Sequence, residues 1–295
     1  MPKYSIKDLE NLTGIQAHTI RVWEQRYHLF SPERTPTNFR KYSDDELRKL
    51  LSIALLNNNG MKISKIAVMT DNEIAEAVLQ LSESDDSTIE NHIENLKLTM
   101  VAMNEAKFEK LFGHILLQMG FEKANMKIFI PLFKRLVFLW QTGSVTMAQI
   151  NFISSIYKQK LYVAIDGLMP PERSGSDMFI LFLPQTEQLE TGLLFCNYLL
   201  KNRGFHTLYL GASLPAEELV EILEKNPTTT LLSIPTLSQI DLTNYYSKVL
   251  THCNDEQKLI ITGNQITTVK ITDPRLTIFQ DIAEFRDYLD GLSKE

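Results

Sequence analysis

Two stretches of this chain hold side chains whose types and spacing could do chemistry. The first, QAHTIRVWEQRYHLFSPERTPTNFRKY, covers residues 16–42. On a helix starting near Gln16, residues Ile20, Trp23 and Tyr27 share an inward face, while Gln16, His18, Thr19 and Arg21 lie on the outer faces. Arg34 stands before a set of turn formers; Asn38, Arg40 and Tyr42 stand after it. Amides, hydroxyls and guanidiniums so arranged suit phosphate oxygens and base edges. The second stretch, TEQLETGL at 186–193, sits between the apolar run MFILFLP and the amphipathic run GLLFCNYLLKNRG. In α/β sheets the loop after the carboxyl end of a strand gathers ligand-binding residues. Here the interior-facing candidate is Leu189, which offers a metal no lone pair.

Enzyme chemistry finds little support. The chain has no Gly-x-Ser-x-Gly, P-loop, His-Glu-x-x-His or paired-cysteine site. Glu187 and Glu190, with no base or metal near them in sequence, read as loop and helix-start acids. Cys196 and Cys253 match no metal spacing and are expected as free thiols in a reducing compartment. His206 precedes a strand, His114 lies inside a helix, and His92 and His252 fall on polar stretches. All four are expected at the surface or satisfied, and no metal site is predicted.

The elements that must position these residues fall into three groups, giving a multidomain chain of 295 residues. Residues 1–75 read as short helices around a β-hairpin, an N-terminal winged helix-turn-helix. Residues 76–170 repeat apolar residues at helical intervals (Phe108, Leu111, Phe112, Ile115; Ile128, Phe129, Leu132, Phe133) and read as a central helical bundle. Its first helix has capping-box spacing at Ser87-x-x-Glu90. Residues 171–295 alternate short apolar strands with helices, predicting a C-terminal α/β doubly wound, Rossmann-like parallel sheet. No run approaches twenty apolar residues and the N-terminus lacks an apolar signal core, so a cytoplasmic location with no membrane partner is expected. The net charge of −6 is unevenly spread: residues 1–70 carry eleven basic against seven acidic residues, a net +4, which leaves −10 on the rest. A basic head on an acidic body suits one surface that faces a polyanion.

The motif Thr19-x-Arg21-x-Trp23-Glu24, the Arg34 arm and Asn38-Phe39-Arg40-x-Tyr42 before an acidic helix start resemble the winged-helix DNA-binding domain of the MerR family of transcription regulators. The resemblance covers about seventy residues and implies double-stranded promoter or operator DNA as partner. Thr19 and Arg21 would enter the major groove, with Arg34, Arg40 and Tyr42 on the backbone. His28 departs from the pattern; many relatives have Gly there, and a left-handed residue costs more for His. One such module makes few contacts, so self-association as a dimer or tetramer on an inverted repeat is expected. RNA polymerase or a regulatory protein are further partners that the resemblance allows.

The remaining two thirds resemble the cobalamin-binding module of methionine synthase and of MerR-type photoreceptors of the CarH/LitR type. The matching runs are LFLP-QTEQLETG, HTLYLGASLPAEEL, LLSIPTL and IITGN. That family's loop is Asp/Glu-x-His-x-x-Gly, whose imidazole takes the lower axial site on cobalt; here Glu187 and Gly192 are kept and Leu189 replaces the histidine. In the photoreceptor branch Glu-His follows a Trp by ten and eleven residues and covers the upper face of the corrin. Here Trp140 is followed by Ile150 and Asn151. Ser233 keeps a position bordering the nucleotide tail, and Gly263-Asn264 replaces a Gly-Gly pair. The expectation is a MerR-type regulator, not an enzyme, whose degenerate cobalamin-like half serves oligomerisation or another effector. The alternatives are cobalamin or light sensing with atypical corrin coordination, and an adaptor with a vestigial DNA reader.

Overall fold

The computed structural model describes residues 4–83, 88–168 and 178–292. It divides into two compact units, Met1–Ile153 and Ser154–Glu295.

The first unit opens with α1 (Ile6–Thr13), started by a capping box in which Ser5 and Asp8 each hold the other's backbone N–H. Gly14, at φ 72°, ends α1 and α2 (Ala17–Tyr27) follows. The second helix ends on His28 in the left-handed region (φ 50°, ψ 37°), its N–H bonded to the Glu24 carbonyl. Strands β1 (Glu33–Arg34) and β2 (Arg40–Lys41) pair antiparallel as a small wing. A second capping box, Ser43 with Glu46, starts α3 (Asp44–Asn58), and α4 (Ile63–Ile66) and α5 (Asp71–Glu83) complete the head. Leu9, Leu12, Ile20, Leu47 and Leu50 fill its core.

The helical bundle comprises α6 (Ile89–Val101), α7 (Glu105–Met119), α8 (Phe121–Ala124), α9 (Ile130–Gln141) and α10 (Met147–Asp166), the last running on into the second unit. The capping box expected of Ser87 falls on a residue outside those described; the N-cap is Thr88, whose side chain accepts the Asn91 N–H. Between α8 and α9, residues Asn125–Phe129 widen into a π turn. Pro131 supplies the reason: it has no N–H to close the α-helical bond four residues back.

Head and bundle share one packed unit. Helix α3 packs on α6, and Asn59 and Asn91 exchange side-chain amide bonds of 2.8 and 2.7 Å. Lys97 of α6 is buried; its Nζ donates to the Leu12 carbonyl at the end of α1 (2.8 Å) and pairs with Glu94 (2.7 Å). Burial holds the Glu94 carboxyl above its ordinary range in spite of Lys97. Ser144, after α9, donates to Asp8 and accepts from Asn11.

The second unit alternates β3 (Met178–Pro184), α11 (Thr191–Asn202), β4 (His206–Leu214), α12 (Val220–Lys225), β5 (Thr229–Ser233), α13 (Leu242–His252), β6 (Lys258–Ile261), β7 (Leu276–Ile278) and α14 (Ile282–Leu292). All five strands are parallel in the order β4-β3-β5-β6-β7, a doubly wound sheet. Phe179 to Leu183 are buried on both faces, which accounts for their unbroken apolar run. The chain leaves β3 toward β4 on one side and reaches β5 on the other. The loops after β3 and β5 therefore flank the topological switch point, where ligands of such sheets bind.

Replacing Lys97 by Met removes the ammonium that faces the buried Glu94 and is expected to cost about 3 kcal/mol in urea unfolding of the full chain. Adding Glu94→Gln should recover most of that loss. An unchanged unfolding midpoint in Lys97→Met would show that the bond to Leu12 carries no weight.

Candidate nucleic-acid interface and candidate cofactor pocket

Helix α2 turns Ile20 and Trp23 into the head core, which leaves Gln16, His18 and Arg21 exposed and Thr19 half-buried on its outer side. Thr19 Oγ1 and His18 Nε2 lie 3.3 Å apart. Arg21, Gln25 and Arg26 extend the exposed face, and the Arg26 guanidinium sits over the Tyr27 ring at 5.4 Å. On the wing, Asn38 adopts φ 64° and accepts from Arg34 Nη1 at 2.7 Å, so the tight turn and the exposed guanidinium hold each other. Phe39 at the wing tip is 70% exposed.

Two residues expected on the DNA backbone are placed otherwise. Tyr42 is fully buried, and its hydroxyl donates to Glu24 at 3.2 Å. Burial first, and Glu24 second, push the phenol well above its ordinary pKa. Arg40 is only partly exposed, with its Nε held by both Glu24 oxygens at 3.0 and 3.1 Å. The Glu24 bond raises the guanidinium pKa further. Both residues thus bolt the wing to α2 through Glu24, fixing the angle at which the exposed donors are presented. Glu24 was visible in the motif Trp23-Glu24; its partners, sixteen and eighteen residues away, were not.

In the second unit the loop after β3 is organised by Glu187, which is fully buried. Its Oε1 accepts the Leu189 N–H (3.0 Å), and its Oε2 accepts the Thr236 and Leu237 N–H groups (2.8 and 2.6 Å). The carboxylate ties the loop after β3 to the loop after β5. Thr186 (φ 73°) and Ser213 (φ 59°) are held left-handed beside it, with Ser213 Oγ accepting the Thr186 N–H. Glu190 accepts hydroxyl bonds from Tyr209 (3.3 Å) and Tyr162 (3.4 Å). Leu189 is half-buried and turns no donor atom toward the sheet end.

Ser233 and Gly263 make close contacts within the fold. Ser233 and Tyr246, both fully buried, share a hydroxyl bond of 2.9 Å. Tyr246 belongs to the apolar core formed by Leu231, Leu242, Leu259 and Ile266. A Cβ at Gly263 (φ 132°) would lie 2.7 Å from the Pro235 carbonyl oxygen. This glycine therefore serves a close approach between loops within the fold. Gln265 closes the same gap, accepting the Ser238 N–H and donating to the Ser238 carbonyl. A Cβ at Gly192 would meet the Ile234 side chain at 3.4 Å. In the first unit Ile150 is sealed in the bundle core, Asn151 is exposed on α10, and Trp140 is half-buried at the end of α9. At the carboxyl end of the sheet Leu189 offers no imidazole to a metal, and Ser233 and Gly263 are engaged within the fold. Among the described residues no group of three His, Cys, Asp or Glu could hold a metal ion.

Cys196 and Cys253 are buried free thiols, the second pushed up to about 11 by burial. His206 and His252 are exposed. His92 differs from expectation: it is fully buried, and neither ring nitrogen has a hydrogen-bond partner.

A helix-turn-helix with a wing locked to its second helix, followed by a helical bundle and a doubly wound parallel sheet, defines a DNA-binding head on a corrinoid-protein-like body. Residues 4–73 match the model of the MerR HTH family regulatory protein, and the head is a MerR-type domain of the kind that binds double-stranded DNA. The HTH-type transcriptional repressor CarH of Myxococcus xanthus is 27% identical over 229 residues, which span 73% of this chain and 73% of that protein. The repressor CarA of the same organism is 24% identical over 216 residues, spanning 72% and 70%. The Methanosarcina barkeri monomethylamine corrinoid protein superposes with a TM-score of 0.55 at 15% identity, covering 70% of this chain and all of that one. The chain thus shares its fold with that corrinoid protein over 70% of its length. No helix among the described residues is long and apolar enough to cross a membrane.

Glu187→Ala leaves three N–H groups without their acceptor and is expected to destabilise the second unit by about 4 kcal/mol in chemical denaturation. Glu187→Gln should recover part of it. A loss below about 1 kcal/mol would mean that water replaces the carboxylate freely.

Proposed function

We propose that the chain is a MerR-type transcription regulator that binds an inverted-repeat operator as an oligomer. In this reading its cobalamin-type half is kept as an oligomerisation or effector module without histidine-ligated cobalamin. The observation that carries the DNA half is the Arg40–Glu24–Tyr42 lock. It spends two potential donors on orientation while Gln16, His18, Thr19, Arg21, Arg34 and Asn38 stay on the presenting faces. The relatives CarH and CarA are repressors by name, and repression is the sign proposed here.

The body supports the second half of the reading. In the family loop an acid precedes the axial imidazole by two residues; here Glu187 serves backbone N–H groups and Leu189 offers nothing to cobalt. Tyr246, Pro235 and Gln265 fill the tail-side gap from within. The competing reading, a corrin bound without a protein histidine, draws on the corrinoid-protein fold alone.

Two experiments test these halves separately. With DNA from upstream of the gene, Arg21→Ala and Arg34→Ala should each weaken binding and reduce the slope of log K against log salt by about 1. Tyr42→Phe should leave that slope unchanged and lower stability by about 1 kcal/mol. Unchanged binding in both arginine variants would sink the DNA reading. After incubation with adenosylcobalamin and gel filtration, the protein should elute without a corrin absorption band, as should Leu189→His, because the tail-side filling remains. A co-eluting corrin in the wild type would favour the competing reading.

A further inference from the structure

Seven buried side-chain polar atoms among the described residues lack a hydrogen-bond partner, and four of them lie on the α6–α7 hairpin: both ring nitrogens of His92, Nε2 of His114 and Oδ1 of Asn95. Such groups in a native fold call for a partner, because a buried polar atom left alone costs about 1–3 kcal/mol. The two helices run antiparallel through the short link at residues 102–104, which brings His92 opposite His114. Their ring centroids lie 6.3 Å apart, tilted by 55°. Gln118 follows His114 by four residues and so shares its face of α7. Its side chain approaches the His92 ring without closing a well-formed hydrogen bond.

We propose that His92, His114 and the side-chain carbonyl of Gln118 form a binding site for a late first-row divalent transition-metal ion, with water completing its coordination. Imidazole nitrogens suit zinc, nickel, cobalt and copper. With metal–nitrogen bonds of about 2.0–2.1 Å and a ring nitrogen roughly 1.1 Å from its centroid, two imidazoles on one ion span about 5.2 Å at a tetrahedral angle and up to about 6.4 Å when opposed. The observed 6.3 Å falls inside that span, near its opposed end. Gln118 is exposed and His114 half-buried, so one side of the ion would remain hydrated, which tempers the cost of the dication's charge. A histidine bound to metal through one nitrogen donates its other N–H to an acceptor. Asn95 Oδ1, one turn further along α6, is such an acceptor without a partner.

The site also has somewhere to send a signal. His92 follows Asn91, which exchanges amide bonds with Asn59 of α3, and the same helix carries Lys97, bonded to Leu12 at the end of α1. An ion that draws α7 onto α6 acts on the helix that holds the reading head.

The test uses the full chain, stripped with chelator and titrated separately with Co²⁺, Ni²⁺ and Zn²⁺, following the visible bands of cobalt and the heat of binding. One equivalent per chain is expected, with affinity reduced about tenfold or more by His114→Ala or His92→Leu and less by Gln118→Ala. His114 is only half-buried, so His114→Ala keeps the test valid if His92→Leu fails to fold. Metal should raise the melting temperature of the wild type and leave that of His114→Ala unchanged. Absence of binding by all three ions, or undiminished affinity in His114→Ala, would overturn the assignment; the latter would place the ion on exposed histidines such as His206 or His252.

Discussion

The Glu187 carboxylate receives three backbone N–H groups from two loops that the sheet order leaves on opposite sides of its switch point. Everything at that end of the sheet depends on this convergence. Loops that carry ligands are held by the ligand or by the protein, and here a buried side chain does the holding. Once Glu187 pins residues 236 and 237, Pro235 is carried against Gly263, and only a residue without Cβ fits there. Gln265 then bridges to Ser238, and Tyr246 is sealed beneath Ser233. The two loops are joined by a chain of local contacts that starts from one charge.

The head follows the same logic in miniature. A wing of two-residue strands has too few ladder bonds to hold its own direction. Glu24 supplies what the strands lack by gripping Arg40 and Tyr42 from α2. Arg34 and Asn38 stiffen the turn itself. Recognition helix and wing thereby become one rigid presenting surface, which lowers the ordering cost that binding DNA would otherwise incur.

Most of the architecture was legible because it rests on periodicity and punctuation. The unbroken run Met178–Pro184 gave a buried strand, and alternation gave the parallel sheet. The left-handed cost anticipated at His28 is met in full, at φ 50°. Pairings over long sequence separations were hidden. Tyr42 reads as an exposed donor beside Arg40, and only the fold brings it to Glu24 and the core. The close approach of the Pro235 carbonyl to Gly263, twenty-eight residues on, is another such pairing. His92 sits among polar residues, yet two helices close over it, a result of tertiary packing that local composition does not encode.

The bond from Lys97 to the Leu12 carbonyl joins residues 85 apart in sequence. Alongside it, Ile53, Ala54, Leu55 and Leu56 are buried in succession on α3, more than the head's own core needs of one helix. Helix α6 covers that surface, so the head and the first bundle helix share one core.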